Sequence, residues 1–293
     1  MPSGSKSPLS PIVDALEAAT PLDTPGKVVG ERVRALLKPG KVKDAVSGTW
    51  LGHALHPILT DVVIGAFVSA SLLDLLGGDD DGRAAERLIG VGLAAYGPTA
   101  LTGVSDWADS ELGDPRVRRV GLVHAASNAV AASMYTASLV ARRRGSRGRG
   151  AALALGGAAV MGGGGYLGGH LSFARGVGVD QTAFDPGPSD WTAAPLDGEL
   201  VMGEPKRAVV EDTPVLMVRH ADGIHALHDR CSHRGCSLAD GKVEGEFVTC
   251  VCHDSQFDLR DGSIRRGPAT APQPAYDVRE SGGRLEIRLR QEA

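Results

Sequence analysis

Two short stretches, "CSHRGC" at 231–236 and "CVCHDS" at 250–255, hold all four cysteines of the 293-residue chain and two of its nine histidines. Thiols and imidazoles at short fixed spacing are metal ligands before they are anything else. The pattern runs Cys231-x-His233, sixteen residues, then Cys250-x-x-His253, so each stretch offers one thiolate and one imidazole. Spacing alone leaves two readings open. A mononuclear zinc site takes two Cys and two His, but Cys-x-His is a poor chelate for one tetrahedral ion. A dinuclear iron–sulfur cluster needs two thiolates on one iron and two imidazoles on the other, which two loops meeting tip to tip can deliver.

The surrounding sequence supports loops on a β scaffold. "RAVVED", "PVLMVRH", "GIHALHD", "GEFVTC", "AYDVRE" and "RLEIRL" are short, rich in β-branched residues and separated by Gly or Asp turns. This spacing predicts a small antiparallel sandwich or barrel over residues 205–293, with the cysteine stretches in loops after its third and fourth strands. A Gly/Pro-rich linker is expected at 176–204. His220, His225 and His228 read as strand or surface residues.

Cys-x-His and Cys-x-x-His on β loops resemble the Rieske [2Fe–2S] domain, in which two His replace two Cys on one iron. The resemblance covers about residues 205–290 and includes "SQFDLRDGSIRRGPA" after the second stretch. It implies that Cys231 and Cys250 bind one iron of a [2Fe–2S] cluster and His233 and His253 the other. Cys236 and Cys252 match the positions that form a disulfide in the Rieske proteins of respiratory bc complexes, so a Cys236–Cys252 bridge is implied. High-potential members place a serine two residues after the second histidine and a tyrosine two further on. Here Ser255 is kept, while Phe257 stands at the tyrosine position. A hydrogen bond to a cluster sulfur raises the potential by stabilising the added electron. The expectation is a potential in the upper part of the Rieske range of roughly −150 to +300 mV, below members that carry the tyrosine.

The first half has a different character. Four segments, 57–77, 88–107, 120–141 and 150–174, are each long and apolar enough to be read as membrane spans. Gly reaches 40 residues while aromatics are 4%, a balance that suits closely packed membrane helices. A four-helix transmembrane domain is therefore expected over 51–175, preceded at 1–50 by a flexible tail with one basic amphipathic helix. In that helix Val29, Val33, Leu36 and Leu37 share a face opposite Arg32, Arg34 and Lys38. The first 26 residues do not read as a secretory signal, because Asp14 and Glu17 interrupt the only apolar run. "SGTWLGHALHPILTDVVIGAF" resembles a four-span bacterial membrane family of uncharacterised function that is sometimes fused to a Rieske domain. The fold class is thus a four-span α-helical membrane domain followed by an all-β Rieske-type domain, in an inner-membrane protein. Nine Lys and Arg beside the spans on the N-terminal side, against seven on the other, lean that side towards the cytoplasm. A disulfide argues for an oxidising compartment, so the side of the β domain stays open.

On a four-span arrangement His53, His56, His124 and His170 fall at one depth, in the leaflet next to the β domain. Polar groups in membrane segments are costly and are usually functional. Bis-histidine haem b ligation suits them, with "GGGGYLGG" before His170 admitting a flat porphyrin and Asn128, Asp61 and Asp106 as partners. The competing reading is helix-packing histidines without a metal. A net charge of −4 argues against nucleic acid as a partner. The function that follows is one-electron transfer with a redox partner protein or quinol. The alternatives are a tethered ferredoxin serving a separate oxygenase or reductase, with the membrane half only an anchor, and a redox sensor.

Overall fold

The computed structural model describes residues 8–78 and 81–291. The chain divides into two compact units, one of Met1–Leu36 with Leu55–Val177 and one of Leu37–Ala54 with Gly178–Ala293.

The first unit is helical: α1 (Ser10–Ala18), α2 (Asp23–Leu36), α4 (Leu55–Leu76), α5 (Gly82–Ser110), α6 (Pro115–Arg143) and α7 (Arg147–Gly169), the last running on through a π turn at His170–Ala174. Helix α3 (Lys41–Ser47) belongs to the other unit. Local chemistry sets the breaks. Asp114 accepts from the Arg116 amide at 2.9 Å while Pro115 takes the first helical position, and Gly145 at φ +83° ends the α6–α7 turn. Helices α4 and α5 form one hairpin and α6 and α7 another, joined in a core around Phe67 and Tyr135. These two rings stack with centroids 3.8 Å apart, and the Tyr135 hydroxyl donates to Phe67 O at 3.2 Å. Phe67 fits only because α5 has glycine opposite it. A Cβ on Gly92 would lie 2.4 Å from the Phe67 ring.

Three helices, Leu55–Leu76, Gly82–Ser110 and Arg147–Ala174, are long and apolar enough to cross a membrane. The fourth expected span lies in α6, which has the length at 29 residues but not the composition. His124, Asn128 and a run of Ser and Thr interrupt its apolar stretch.

The expectation of a flexible tail needs correcting for its described part. Residues from Ser10 onwards form α1 and α2, and ion pairs bind both to the other helices. Arg119 on α6 reaches Asp23 at 2.9 and 2.6 Å and the Glu17 carbonyl at 2.5 Å. Glu17 also meets His170 at 2.7 Å and pairs with Arg175. Of the expected apolar face of α2, Val29 and Leu36 are exposed and Val33 packs against the helical core, while Gly26 and Gly30 are buried. A Cβ at Gly26 would lie 2.5 Å from Arg118 Cγ, and one at Gly30 would lie 2.4 Å from Glu111 Oε1. Arg34, assigned by pattern to a solvent face, instead donates to Glu111 at 2.7 Å. The fully buried Glu111 carboxylate also takes Arg118 at 2.6 Å, and these charges decide which face of α2 packs. Residues 1–7 of the expected tail lie outside the described residues.

The second unit carries two antiparallel sheets. The larger has the order β1–β10–β9–β4–β3–β2, made of β1 (Thr192–Ala193), β2 (Pro205–Val210), β3 (Thr213–His220), β4 (Gly223–His228), β9 (Ala275–Ser281) and β10 (Arg284–Leu289). The smaller runs β5 (Lys242–Glu244), β6 (Phe247–Thr249), β7 (Gln256–Asp258) and β8 (Ile264–Arg266) in sequence order. One apolar core holds Leu216, Val218, Leu227, Val248, Phe257 and Leu259 together with Cys231 and Cys250. Part of the expected linker is structural: Thr192 and Ala193 pair with β10, and Ala194 and Leu200 are buried in a second core.

Breaking the Arg34–Glu111–Arg118 group tests how the first unit is held. Glu111→Ala leaves the buried Arg118 guanidinium with only the more distant Asp23 carboxylate, 3.5 Å away, and is expected to cost about 3 kcal/mol. The check is the melting temperature of the detergent-solubilised protein, with Val28→Ala on the exposed face as the comparison that changes little.

Candidate metal centre

The two cysteine stretches fold into loops with one common frame. In the first, the Cys231 amide donates to Cys236 O at 2.8 Å and the Gly235 amide to Cys231 O at 2.8 Å. In the second, the Cys250 amide donates to Ser255 O at 2.9 Å and the Asp254 amide to Cys250 O at 3.0 Å. The fifth residue of each loop is left-handed, Gly235 at φ +75° and Asp254 at φ +60°. Aspartate is among the few side chains that tolerate this conformation, and Arg266 fixes it by donating to Asp254 O at 3.1 and 2.9 Å.

This frame points four side chains together in two pairs. The buried thiols of Cys231 and Cys250 share a hydrogen bond. That bond pushes the Cys231 thiol up and holds Cys250 down at about 7. Backbone amides of 233 and 234 point at the Cys231 sulfur, and those of 252 and 253 at the Cys250 sulfur, each favouring a thiolate. The second pair is His233 and His253, whose rings meet edge to face with centroids 4.9 Å apart. Burial holds the His233 imidazole well below its ordinary range, helped by the charges of His253, Arg234 and Lys43. Two imidazoles beside two amide-supported cysteine sulfurs are the donor set that a metal cluster with mixed ligands requires. Cys236 and Cys252 form a disulfide that ties the first loop to the second.

A family profile described as "Rieske [2Fe-2S] domain" matches residues 190–277, and one described as "Predicted membrane protein (DUF2231)" matches residues 52–181. The anthranilate 1,2-dioxygenase ferredoxin subunit of Burkholderia cepacia is 31% identical over 101 residues, which are 34% of this chain and 94% of that protein. The chain belongs to the Rieske [2Fe–2S] proteins. The 3-phenylpropionate/cinnamic acid dioxygenase ferredoxin subunit of Photorhabdus laumondii is 38% identical over 28% of this chain and 81% of its own length. Among solved structures, the ferredoxin of carbazole 1,9a-dioxygenase from Nocardioides aromaticivorans IC177 is 28% identical, with a TM-score of 0.32, over 34% of this chain and 98% of that one.

The Rieske loops rest on residues that sequence spacing did not single out. Asp229 accepts from the Ala239 amide at 2.7 Å, from Ser237 Oγ at 2.9 and 2.8 Å, and from Arg207 at 2.8 Å. Gln273 accepts from the Ser232 amide at 3.0 Å and donates to His228 O at 2.7 Å. His228 is fully buried rather than a surface residue, meeting Asp185 at 3.3 Å and accepting from the Arg230 amide at 3.0 Å. Burial keeps its imidazole below the ordinary range. Ser255 Oγ accepts from the Ala269 amide at 3.0 Å, and Phe257 is fully buried in the core. The segment before α4 joins in. Asp44 accepts from the Gly267 amide at 3.0 Å, and Thr49 donates to Ala269 O at 3.1 Å.

The four histidines grouped by sequence are divided between the two units. His53 is exposed and belongs to the β-containing unit, while His170 is paired with Glu17. His56 and His124 remain inside the helical unit, each bonded through Nδ1 to the backbone of a neighbouring helix. His56 Nδ1 contacts Thr99 O at 3.0 Å and Thr102 Oγ1 at 3.3 Å, and His124 Nδ1 contacts Gly164 O at 2.8 Å. Of the glycines expected to admit a porphyrin, Gly164 and Gly168 are met by side chains, while Gly162, Gly163 and Gly165 have open space beside them. A Cβ on Gly168 would lie 2.9 Å from the His124 ring, one on Gly164 would lie 2.7 Å from Asn128, and one on Gly103 would lie 2.5 Å from the His56 ring.

Removing the loop tie tests its share of stability. The disulfide spans 16 residues, a loop for which cross-link entropy is worth about 3 kcal/mol. A Cys236→Ser, Cys252→Ser double variant should therefore melt at a lower temperature and lose its visible chromophore earlier on heating, followed by absorbance and circular dichroism.

Proposed function

We propose that this chain is a membrane-anchored electron-transfer protein that passes single electrons through a [2Fe–2S] cluster to a separate redox partner protein. The observation that carries this reading is the segregation of the donor set, with two buried thiols meeting in one place and two imidazoles in another, on loops of one frame. Cys231 and Cys250 would hold one iron and His233 and His253 the other. When bound, the cluster supplies a carrier that takes up and gives back one electron. The chain's own groups then set how readily that happens. The amides at 233, 234, 252 and 253 aim at the ligand sulfurs and favour the more negative state. Ser255 has its oxygen occupied by the Ala269 amide, which turns its hydroxyl hydrogen to donate elsewhere, and the cluster sulfur is the acceptor that family position implies.

The helical unit supplies the anchor. Its profile match is to a predicted membrane protein family, and three of its helices have the length and composition of spans. We assign α6 as the fourth span, with His124, Asn128, Ser138 and Arg142 turned to the other helices and the exposed Ser133 and Thr136 bonded back to their own backbone. Asn128 and His124 already contact α7, and Arg142 pairs with Asp74 of α4. An inner bacterial membrane is the compartment this implies. The partner class follows from the relatives, whose names are ferredoxin subunits of aromatic dioxygenases, so a Rieske-dependent oxygenase fits the electron acceptor.

The test is spectroscopic. Protein purified in detergent from iron-replete cells should contain two irons and two acid-labile sulfides, take up one electron per chain, and then show the rhombic EPR signal of a cluster with mixed Cys and His ligands. The Cys231→Ser and His253→Ala variants should lose that signal. Wild-type protein with a single zinc and no labile sulfide would overturn the proposal. Alkaline carbonate should leave the protein in the membrane pellet. Phe257→Tyr places a hydroxyl at the family's donor position and is expected to raise the midpoint potential in a redox titration. An unchanged potential would show that the ring does not face the cluster.

A further inference from the structure

The β3–β4 hairpin gathers three metal-ligating side chains far from the cysteine loops. Its two-residue turn is Ala221–Asp222, and the register pairs His220 with Gly223 and Val218 with His225. His220 and His225 are therefore diagonal neighbours on one face of the sheet, within reach of each other's side chains. Asp222 at the tip folds back over that face. One of its oxygens, Oδ1, lies 2.8 Å from His220 Nδ1 and 2.9 Å from His225 Nε2. The three ligand atoms lie within 4.8 Å of one another, and the ring centroids are 6.0 Å apart. A tetrahedral ion with bonds near 2.0–2.1 Å needs ligand atoms about 3.3 Å apart, so small side-chain rotations close the set. The imidazoles are the less exposed partners, at 26% and 14% against 51% for the carboxylate, which holds them in place on the sheet while leaving the site open. Hydrogen bonds from both imidazoles keep the Asp222 carboxyl ionised, far below the usual carboxylate range.

We propose that His220, Asp222 and His225 form a second metal site, which binds a divalent transition-metal ion of the zinc or copper class. Two imidazoles and one carboxylate are three protein ligands, and solvent at the hairpin tip completes the coordination. Besides those rotations, binding needs a tautomer switch, because Nδ1 of His220 and Nε2 of His225 exchange their hydrogen bonds to Asp222 for lone-pair donation to the ion. Their protons move to the opposite ring nitrogens, so neutral histidines release none. The site is separate from the cluster loops. Gly223 to His228 is five steps of β4 at about 3.3 Å each, roughly 17 Å, and the first cysteine loop begins beyond that end.

The experiment uses the full-length, cluster-loaded protein in detergent, washed with chelator and oxidised in air. Zinc titrated in a calorimeter should bind at one site per chain with a Kd of about 1 μM or tighter. Asp222→Asn should weaken this at least tenfold, and the His220→Gln, His225→Gln double variant should abolish it. Copper(II) gives an independent readout, since the two ferric ions of the oxidised cluster couple to an EPR-silent state. Nitrogen hyperfine structure from two imidazoles is expected in the wild type and not in the double variant. The cluster's visible spectrum, unchanged in all variants, shows that they fold. Equal zinc binding by the wild type and the double variant, or no binding by either, would overturn the proposal.

Discussion

Everything in the β-containing unit depends on two loops holding the same backbone frame while offering different ligand spacings. The frame is a pair of amide-to-carbonyl bonds in each loop, closed by a left-handed fifth residue. Within it the histidine falls two residues after Cys231 but three after Cys250, and the remaining cysteine five residues after one and two after the other. The offset lets two similar loops face each other without colliding. Thiol meets thiol, ring meets ring, and Cys236 reaches Cys252. A left-handed glycine or aspartate costs little at this position, whereas a β-branched residue there would strain the frame. The disulfide then limits how far the loops separate, so a buried pair of thiols need not hold them together by packing alone.

Sequence made the centre legible because metal ligands must be specific residue types at short spacing, and those types are scarce in this chain. The four candidate donors and the β scaffold could be read from Cys and His positions and from strand-length apolar runs, and the bridge from the resemblance to Rieske proteins. The supporting groups could not. Asp229, Gln273, Asp44 and Thr49 act through backbone hydrogen bonds to residues far away in the chain, and no local pattern marks them. His228 shows the same limit: alternation places it on a strand, but only the fold shows that it is buried against Asp185.

The helical half was legible in outline and misread at its faces. Apolar length correctly marked α4, α5 and α7. Amphipathic periodicity in α2 pointed to a valine face of which Val33 does pack, yet the closest approach is made by Gly26 and Gly30, because the space beside α5 and α6 is already occupied by Arg118 and Glu111. Glycine gives no hydropathy signal, so a face defined by closeness to charged side chains is invisible to a hydropathy argument. Part of the glycine run of α7 is taken up for a related reason. A notch in a helix accepts whichever group is nearest, and here Asn128 and His124 fill it.

The β-containing unit is discontinuous in sequence, and this bears on its electrostatics. The chain enters it at Leu37, leaves at Ala54 and returns at Gly178. The early segment packs on the loop at 267–269, and that loop in turn bonds Ser255 beside the second cysteine stretch. Lys43, buried on α3, adds a positive charge that acts on His233. The profile match that identifies the domain begins at residue 190, so this contribution lies outside the part that the family shares. Positive charge near a buried redox group favours its reduced form, because the added electron is a negative charge in a medium of low dielectric. Residues that precede the first apolar helix thus act on a centre whose candidate ligands lie some two hundred residues later.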